Sequence, residues 1–152
     1  MTRAGERTIE TVERVNGGAG FIMKEALLAP AQLGEHCKMF SQVTLKPGCE
    51  LGHHEHHGET ETYYILAGTG MYDDNGKAIP AQPGDVFFCD NGDGHGIKNN
   101  GKEDLVFVAL ILKLEKPVRC LIIRKPMRWH DGIRVYNPGR NSSILPLQVM
   151  PE

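Results

Sequence analysis

Residues 48–68 read Gly-Cys-Glu-Leu-Gly-His-His-Glu-His-His-Gly-Glu-Thr-Glu-Thr-Tyr-Tyr-Ile-Leu-Ala-Gly. Four of the chain's seven histidines, His53, His54, His56 and His57, crowd into this stretch, and Glu61 follows four residues after His57. Imidazole and carboxylate are the usual side-chain ligands of a transition metal. The cluster lies far from both ends of the 152-residue chain, so it does not read as a purification tag. Directly after it, residues 61–67 are β-branched and aromatic and end at Gly68, the pattern of a strand closed by a turn.

The same pattern continues on both sides. Residues 37–46 alternate, with Cys37, Met39, Ser41, Val43 and Leu45 on one face, until Pro47-Gly48 breaks the run. Residues 70–73 lead into Asp74-Asn75-Gly76, a hairpin signal, with 77–81 as the return strand. Further strands are expected at 85–89, 95–98 and 105–114, separated by Pro83-Gly84, by the turn 90–94 and by Asn99-Asn100-Gly101-Lys102, and one more at 120–124. Short strands at spacings of about 8–12 residues, punctuated by Gly and Pro, indicate an all-β sandwich or barrel. Helix signals are weak. Residues 6–15 are the best candidate and read equally well as an N-terminal strand. Residues 127–152, with Gly132, Pro138, Gly139, Pro146 and Pro151, are expected to lack extended regular structure.

Strand periodicity gives the histidine cluster a geometry. Residues i and i+2 point the same way, so His54 and His56 share one face while His53 and His57 share the other or flank a turn. A hairpin at Gly58 would bring Glu61 back towards His54 and His56. A fourth ligand must come from elsewhere. His95 is the natural candidate, because it opens a strand directly after a Gly-rich turn.

Two motifs now stand out. Gly48, His54, His56, Glu61 and Gly68 follow the spacing Gly, five residues, His-x-His, four residues, Glu, six residues, Gly. Gly84, Asp90, Gly92, His95 and Asn99 follow a second spacing, Gly, five residues, Pro-x-Gly, two residues, His, three residues, Asn, with Asp90 in place of the proline. On these residues the chain resembles the cupin superfamily of small double-stranded β-helix or jelly-roll barrels. The resemblance implies an all-β barrel over residues 35–114, an N-terminal segment 1–34 packing on the barrel or a partner, and a C-terminal extension 115–152. It makes His54, His56, Glu61 and His95 the ligands of one divalent metal, the same four that the periodicity selects. Three nitrogens and a carboxylate suit Fe, Mn, Ni, Co or Zn. His53 and His57 become supporting residues. Glu59 is the alternative carboxylate, but it stands only two intervening residues after His56.

Other residues are open to two readings. Tyr63, two after Glu61, is either a proton-transfer group beside a bound substrate or a core aromatic closing the barrel. Cys89 either lines the pocket or is a buried small hydrophobe. Phe40, Phe107 and Met39 are expected in the core, and Trp129 and His130 could cap a neighbour's barrel.

Composition excludes several classes. A net charge of −2 gives no pull towards nucleic acid or anionic membrane. No stretch approaches the roughly 18 apolar residues of a membrane span, and the N-terminus lacks an apolar signal run. The four cysteines are widely spaced without Cys-x-x-Cys, which suits reduced thiols in the cytoplasm. From Lys113 onward eight Lys/Arg face three Asp/Glu, a net of +5 that could meet an anionic ligand or a partner's acidic surface. The expected protein is a homodimer, since an open sheet edge is normally paired or covered. Its expected function is that of a small metalloenzyme of dioxygenase, decarboxylase, lyase or isomerase type acting on an oxygen-rich metabolite. The alternative is a binding or sensor protein that holds its ligand without turnover.

Overall fold

The structure, a computed structural model, describes residues 3–114 together with residues 129–130 and 133–134. In chain order the strands of the first part are β1 (Ile9–Glu13), β2 (Phe21–Ala26), β3 (Cys37–Leu45), β4 (Glu50–Glu55), β5 (Glu59–Ala67), β6 (Gly70–Asp74), β7 (Lys77–Ala81), β8 (Val86–Cys89), β9 (Gly94–Lys98) and β10 (Leu105–Lys113). They form two antiparallel sheets, one ordered β1-β2-β3-β10-β5-β8 and the other β4-β9-β6-β7. This is the all-β, two-sheet architecture that the turn spacing predicts, and it matches the double-stranded β-helix that the resemblance implies. No helix among the described residues is long and apolar enough to cross a membrane.

Alternation explains which side of each strand is buried. On β10, Leu105, Phe107, Ala109 and Ile111 point inward, and on β5 Tyr63 and Ile65 do the same. With Val43 and Leu45 of β3, Ile97 of β9 and Tyr72 of β6 they form one core between the sheets. Each fully buried Leu, Ile or Phe there contributes roughly 1.5–3 kcal/mol of apolar burial. The Asn75-Gly76 turn has both residues at positive φ (49° and 86°), the backbone that a two-residue hairpin needs, and β6 and β7 pair directly across it.

Several expectations are corrected or refined. Within residues 6–15 the strand reading holds for Ile9–Glu13: β1 pairs with β2 from Ile9↔Glu25 to Glu13↔Phe21, and a 3-10 turn (Val15–Gly17) begins two residues later. The hairpin expected at Gly58 does not form, because β4 and β5 belong to different sheets. Gly58 (φ 77°) instead turns the chain from one sheet into the other. Phe40 is half-buried rather than core, since its neighbour Met39 packs on the core and consecutive strand residues face opposite sides. Phe107 is fully buried. The strand expected at 120–124 lies outside the described residues.

Residues 119–152 form a second unit. Within it β11 (Trp129–His130) pairs antiparallel with β12 (Ile133–Arg134), with Trp129 opposite Arg134. The capping role considered for the Trp129 and His130 side chains falls outside what is described.

Candidate metal centre

Three routes of the chain converge inside the barrel. His54 on β4 pairs directly with His95 on β9, so both rings project from the four-stranded sheet. Glu61 comes from β5 of the other sheet. His56 lies beyond the end of β4, and its backbone is fixed by the turn between β8 and β9. There His56 N–H donates to Asp93 O (3.1 Å), Gly92 N–H donates to His56 O (2.7 Å), and Gly58 N–H donates to Asn91 Oδ1 (2.6 Å). A register shift between Leu51 and His54 re-aims the end of β4, a common role for a bulge beside a site. Past the bulge His53 and Glu55 are exposed while His54 and His56 turn inward, so the two histidines share a face as the alternation predicts, and the clamped turn fixes His56.

One ligand atom from each of His54, His56, Glu61 and His95 lies within 4.8 Å of every other. Glu61 Oε2 is 2.9 Å from His95 Nε2, 3.1 Å from His56 Nε2 and 3.5 Å from His54 Nε2, and His56 Nε2 is 3.0 Å from His95 Nε2. An ion with bonds of about 2.1 Å holds neighbouring donors about 3 Å apart, so these separations fit a divalent metal. His56, Glu61 and His95 are buried, and His54 is half-buried.

The opposite nitrogen of each ring is already engaged. His54 Nδ1 donates to Gly52 O (3.0 Å), and His56 Nδ1 donates to Glu59 Oε1 (3.2 Å). His95 Nδ1 meets the Tyr72 hydroxyl (2.9 Å). A backbone carbonyl and a carboxylate can only accept, so in the neutral rings of His54 and His56 the Nε2 lone pair faces inward. This outer ring of partners is the usual means of orienting metal-bound histidines. Lys38 Nζ in turn holds both oxygens of Glu59 (2.7 and 2.8 Å).

Electrostatics agree with the donor set. In the metal-free protein burial pushes the Glu61 carboxyl up, but bonds from His54, His56 and His95, donated by Nε2 when the rings carry a proton there, outweigh it and hold the group well below its ordinary range. The bond to Glu61 raises His56, whereas burial lowers His95. Burial raises both Tyr63 and Tyr72, so both stay phenols. Tyr63 is fully buried, stacks on His95 at 4.9 Å and donates its O–H to Glu61 Oε2 (3.1 Å). Cys89 is buried directly across the β5–β8 pairing from Glu61, and burial pushes its thiol up to about 11. Cys37, Cys49 and Cys89 are free thiols.

Beside the cluster opens a cavity of about 160 Å³, with His54 and Glu61 in its lining. At about 30 Å³ per water it has room for roughly five waters, the size of a small organic acid. Ile22, Met39, Val43, Leu51, Ala109 and Ile111 form most of its wall, with Val15 and Asn16 from the 3-10 turn and Lys24 from β2. The turn reaches this position because Gly18 and Gly52 lie back to back. A Cβ on Gly18 would meet Glu50 O, and one on Gly52 would meet Asn16 O.

The cupin domain family matches residues 41–111. The oxalate-binding protein of Thermotoga maritima is 40% identical over 114 residues, which is 75% of this chain and 94% of that protein. This chain belongs to the cupin superfamily. The crystal structure of a predicted oxalate decarboxylase from Thermotoga maritima superposes with a TM-score of 0.72 at 40% identity, covering 75% of this cupin and 99% of that chain. A putative sugar phosphate isomerase from Acidithiobacillus ferrooxidans gives 0.57 at 28% identity, with 74% and 69% covered. KdgF from Halomonas sp. gives 0.60 at 19% identity, with 73% and 90% covered, and shows the fold alone.

The structure brings the four expected ligands of this cupin together and leaves His53 and His57 outside the cluster. His53 pairs with Asp73 (2.8 Å) and His57 with Glu55 (3.2 Å), both exposed. Glu59 sits behind His56 rather than in the cluster. Sequence reasoning missed Tyr72, Asn91 and Lys24. Alternation from Gly70 would have put Tyr72 on an inner face, but not against His95.

Proposed function

We propose that this cupin holds one divalent metal ion on His54, His56, Glu61 and His95, and that it binds a small carboxylate there, oxalate being the first candidate. The observation that carries the reading is the outward engagement of all three Nδ1 atoms, which leaves three Nε2 atoms and a carboxylate oxygen facing one point. When bound, the ion supplies a Lewis acid with open positions for a ligand oxygen. The chain's own residues do the rest. Gly52, Glu59 and Tyr72 orient the imidazoles, Tyr63 holds Glu61 by donation, and the apolar wall excludes bulk water. The relative named for oxalate binding supports the choice of ligand, as does the small volume of the cavity.

Turnover as a decarboxylase or related metalloenzyme is the second reading. It is favoured by the Tyr63 hydroxyl on Glu61, through which a proton could pass to the site. The homodimer reading is supported by the outer face of the six-stranded sheet, where Tyr64, Leu66, Val86 and Phe88 are exposed.

Elemental analysis after exposure to Mn, Fe, Ni and Zn tests the metal. About one equivalent is expected in the wild type and little in a His54→Ala/His56→Ala variant. Equal, near-zero content in both would overturn the metal reading. Calorimetry with oxalate on the loaded protein tests the ligand, and product assays with a panel of small acids separate binding from turnover.

A further inference from the structure

Strand β2 carries a positive charge on its inner side. Ile22 and Lys24 alternate on one face, and Ile22 is a core residue. Lys24 also stands opposite the buried Val43 on β3. It lines the same cavity as His54 and Glu61, and among the described residues it is the one Lys or Arg in that lining. The Lys24 side chain is 32% exposed, and a charge on an inner strand face is uncommon unless it is paired. The partner here is Glu10, directly opposite on β1, with Oε2 2.8 Å from Nζ. That carboxylate is 59% exposed, so the pair is of the weak, exchangeable kind.

We propose that Lys24 is the anchor for the far charge of the ligand, making the cavity selective for dianionic acids over monoanions of the same size. The proposal rests on the reading that the four-ligand cluster holds a metal and a carboxylate. An ion at the cluster engages one side of a small diacid, and the remaining negative charge then faces the cavity wall. Among the described residues the wall away from His54 and Glu61 is apolar apart from Asn16 and Lys24, so the Lys24 ammonium is the counter-ion available to that charge. Glu10 keeps Lys24 in place in the absence of ligand and is displaced by the incoming anion. This differs from a lysine that merely fastens β1 to β2: for anchoring, removing Glu10 frees the cation and helps binding, whereas for fastening it harms the fold.

The test uses Mn(II)-loaded full chain and titration calorimetry with oxalate, and with glycolate as a monoanion of similar size. Lys24→Met is expected to weaken oxalate about tenfold or more, the usual scale of a lost charge-assisted hydrogen bond, and to leave glycolate within about twofold. Lys24→Arg is expected to retain most of the oxalate affinity, and Glu10→Gln to tighten oxalate by a few-fold. Metal content is measured for every variant and should not change. Unchanged oxalate affinity in Lys24→Met overturns the assignment, as do equal losses for both anions, which would mark a structural role. Wild type that binds metal but no oxalate overturns the carboxylate reading and the anchor together. Wild type that takes up no metal overturns the metal centre itself.

Discussion

Tyr72→Phe removes a single oxygen from the outer ring of the proposed metal centre. The Tyr72 side chain is 2% exposed, and its ring stacks on Phe87 at 4.2 Å, so phenylalanine fills the same space. What disappears is the hydroxyl 2.9 Å from His95 Nδ1. His95 is 1% exposed, so water does not simply replace the lost partner. A buried polar atom left unpaired costs about 1–3 kcal/mol. Loss of an outer partner of a metal-bound histidine typically weakens metal about 10–100-fold, or about 1.4–2.8 kcal/mol. The two ranges agree, which supports a measurable effect. Competition titration of metal-free protein against a chromophoric chelator reads it. Tyr64→Phe is the control, since Tyr64 is 47% exposed on the outer face and touches no ligand. Equal metal affinity in Tyr72→Phe, Tyr64→Phe and wild type would refute the claim that the hydroxyl orients His95.

Three further substitutions have defined outcomes. In metal-free protein Glu61 is depressed from an ordinary value of 4.5. Its stabilisation is therefore complete above that value and is lost as pH falls towards the folded-state value. Glu61→Gln should flatten the acid limb of the thermal stability curve, and an unchanged limb sinks the assignment. Because His56 is raised above 6.5 chiefly by Glu61, the same substitution should move its NMR titration down. Gly52→Ala drives a Cβ into the carbonyl of Asn16. It should cost about 1–3 kcal/mol in chemical denaturation, and it should weaken oxalate because the displaced turn forms part of the cavity wall. On the outer face, Phe88→Glu should convert a dimer into a monomer in sedimentation velocity. A wild type that already sediments as a monomer removes the dimer reading.

The barrel was largely legible because its strands declare themselves locally. Residues 37–45 alternate, residues 105–113 are an apolar run bounded by turns, and Asn75-Gly76 names its own turn. β4 was harder to see. Its sequence, Glu-Leu-Gly-His-His-Glu, hides the alternation under polar residues, and its bulge breaks the period that sequence reasoning assumes. The four clustered residues were still legible, since the bulge precedes His54 and the motif spacings do not depend on the local path. Their partners did not emerge. Tyr72 lies against His95 because β6 pairs with β9, and Lys24 reaches the cavity because β2 extends the opposite sheet. Both contacts depend on tertiary placement that no local pattern encodes. Residues 6–15 illustrate the remaining difficulty, since a ten-residue amphipathic run is compatible with either period until a neighbour, here β2, offers hydrogen bonds.

The ligand cluster draws on both sheets, with His54 and His95 from one, Glu61 from the other, and His56 from the chain that crosses between them. An ion at that point would act as a rivet through the two layers. Its release would require the layers to part or a ring to swing out, so the dissociation rate should follow the breathing of the barrel rather than ligand exchange alone. Amide protons of β5 and β9 should then exchange more slowly in loaded protein than in metal-free protein, while those of β7, at the far edge of its sheet, change least.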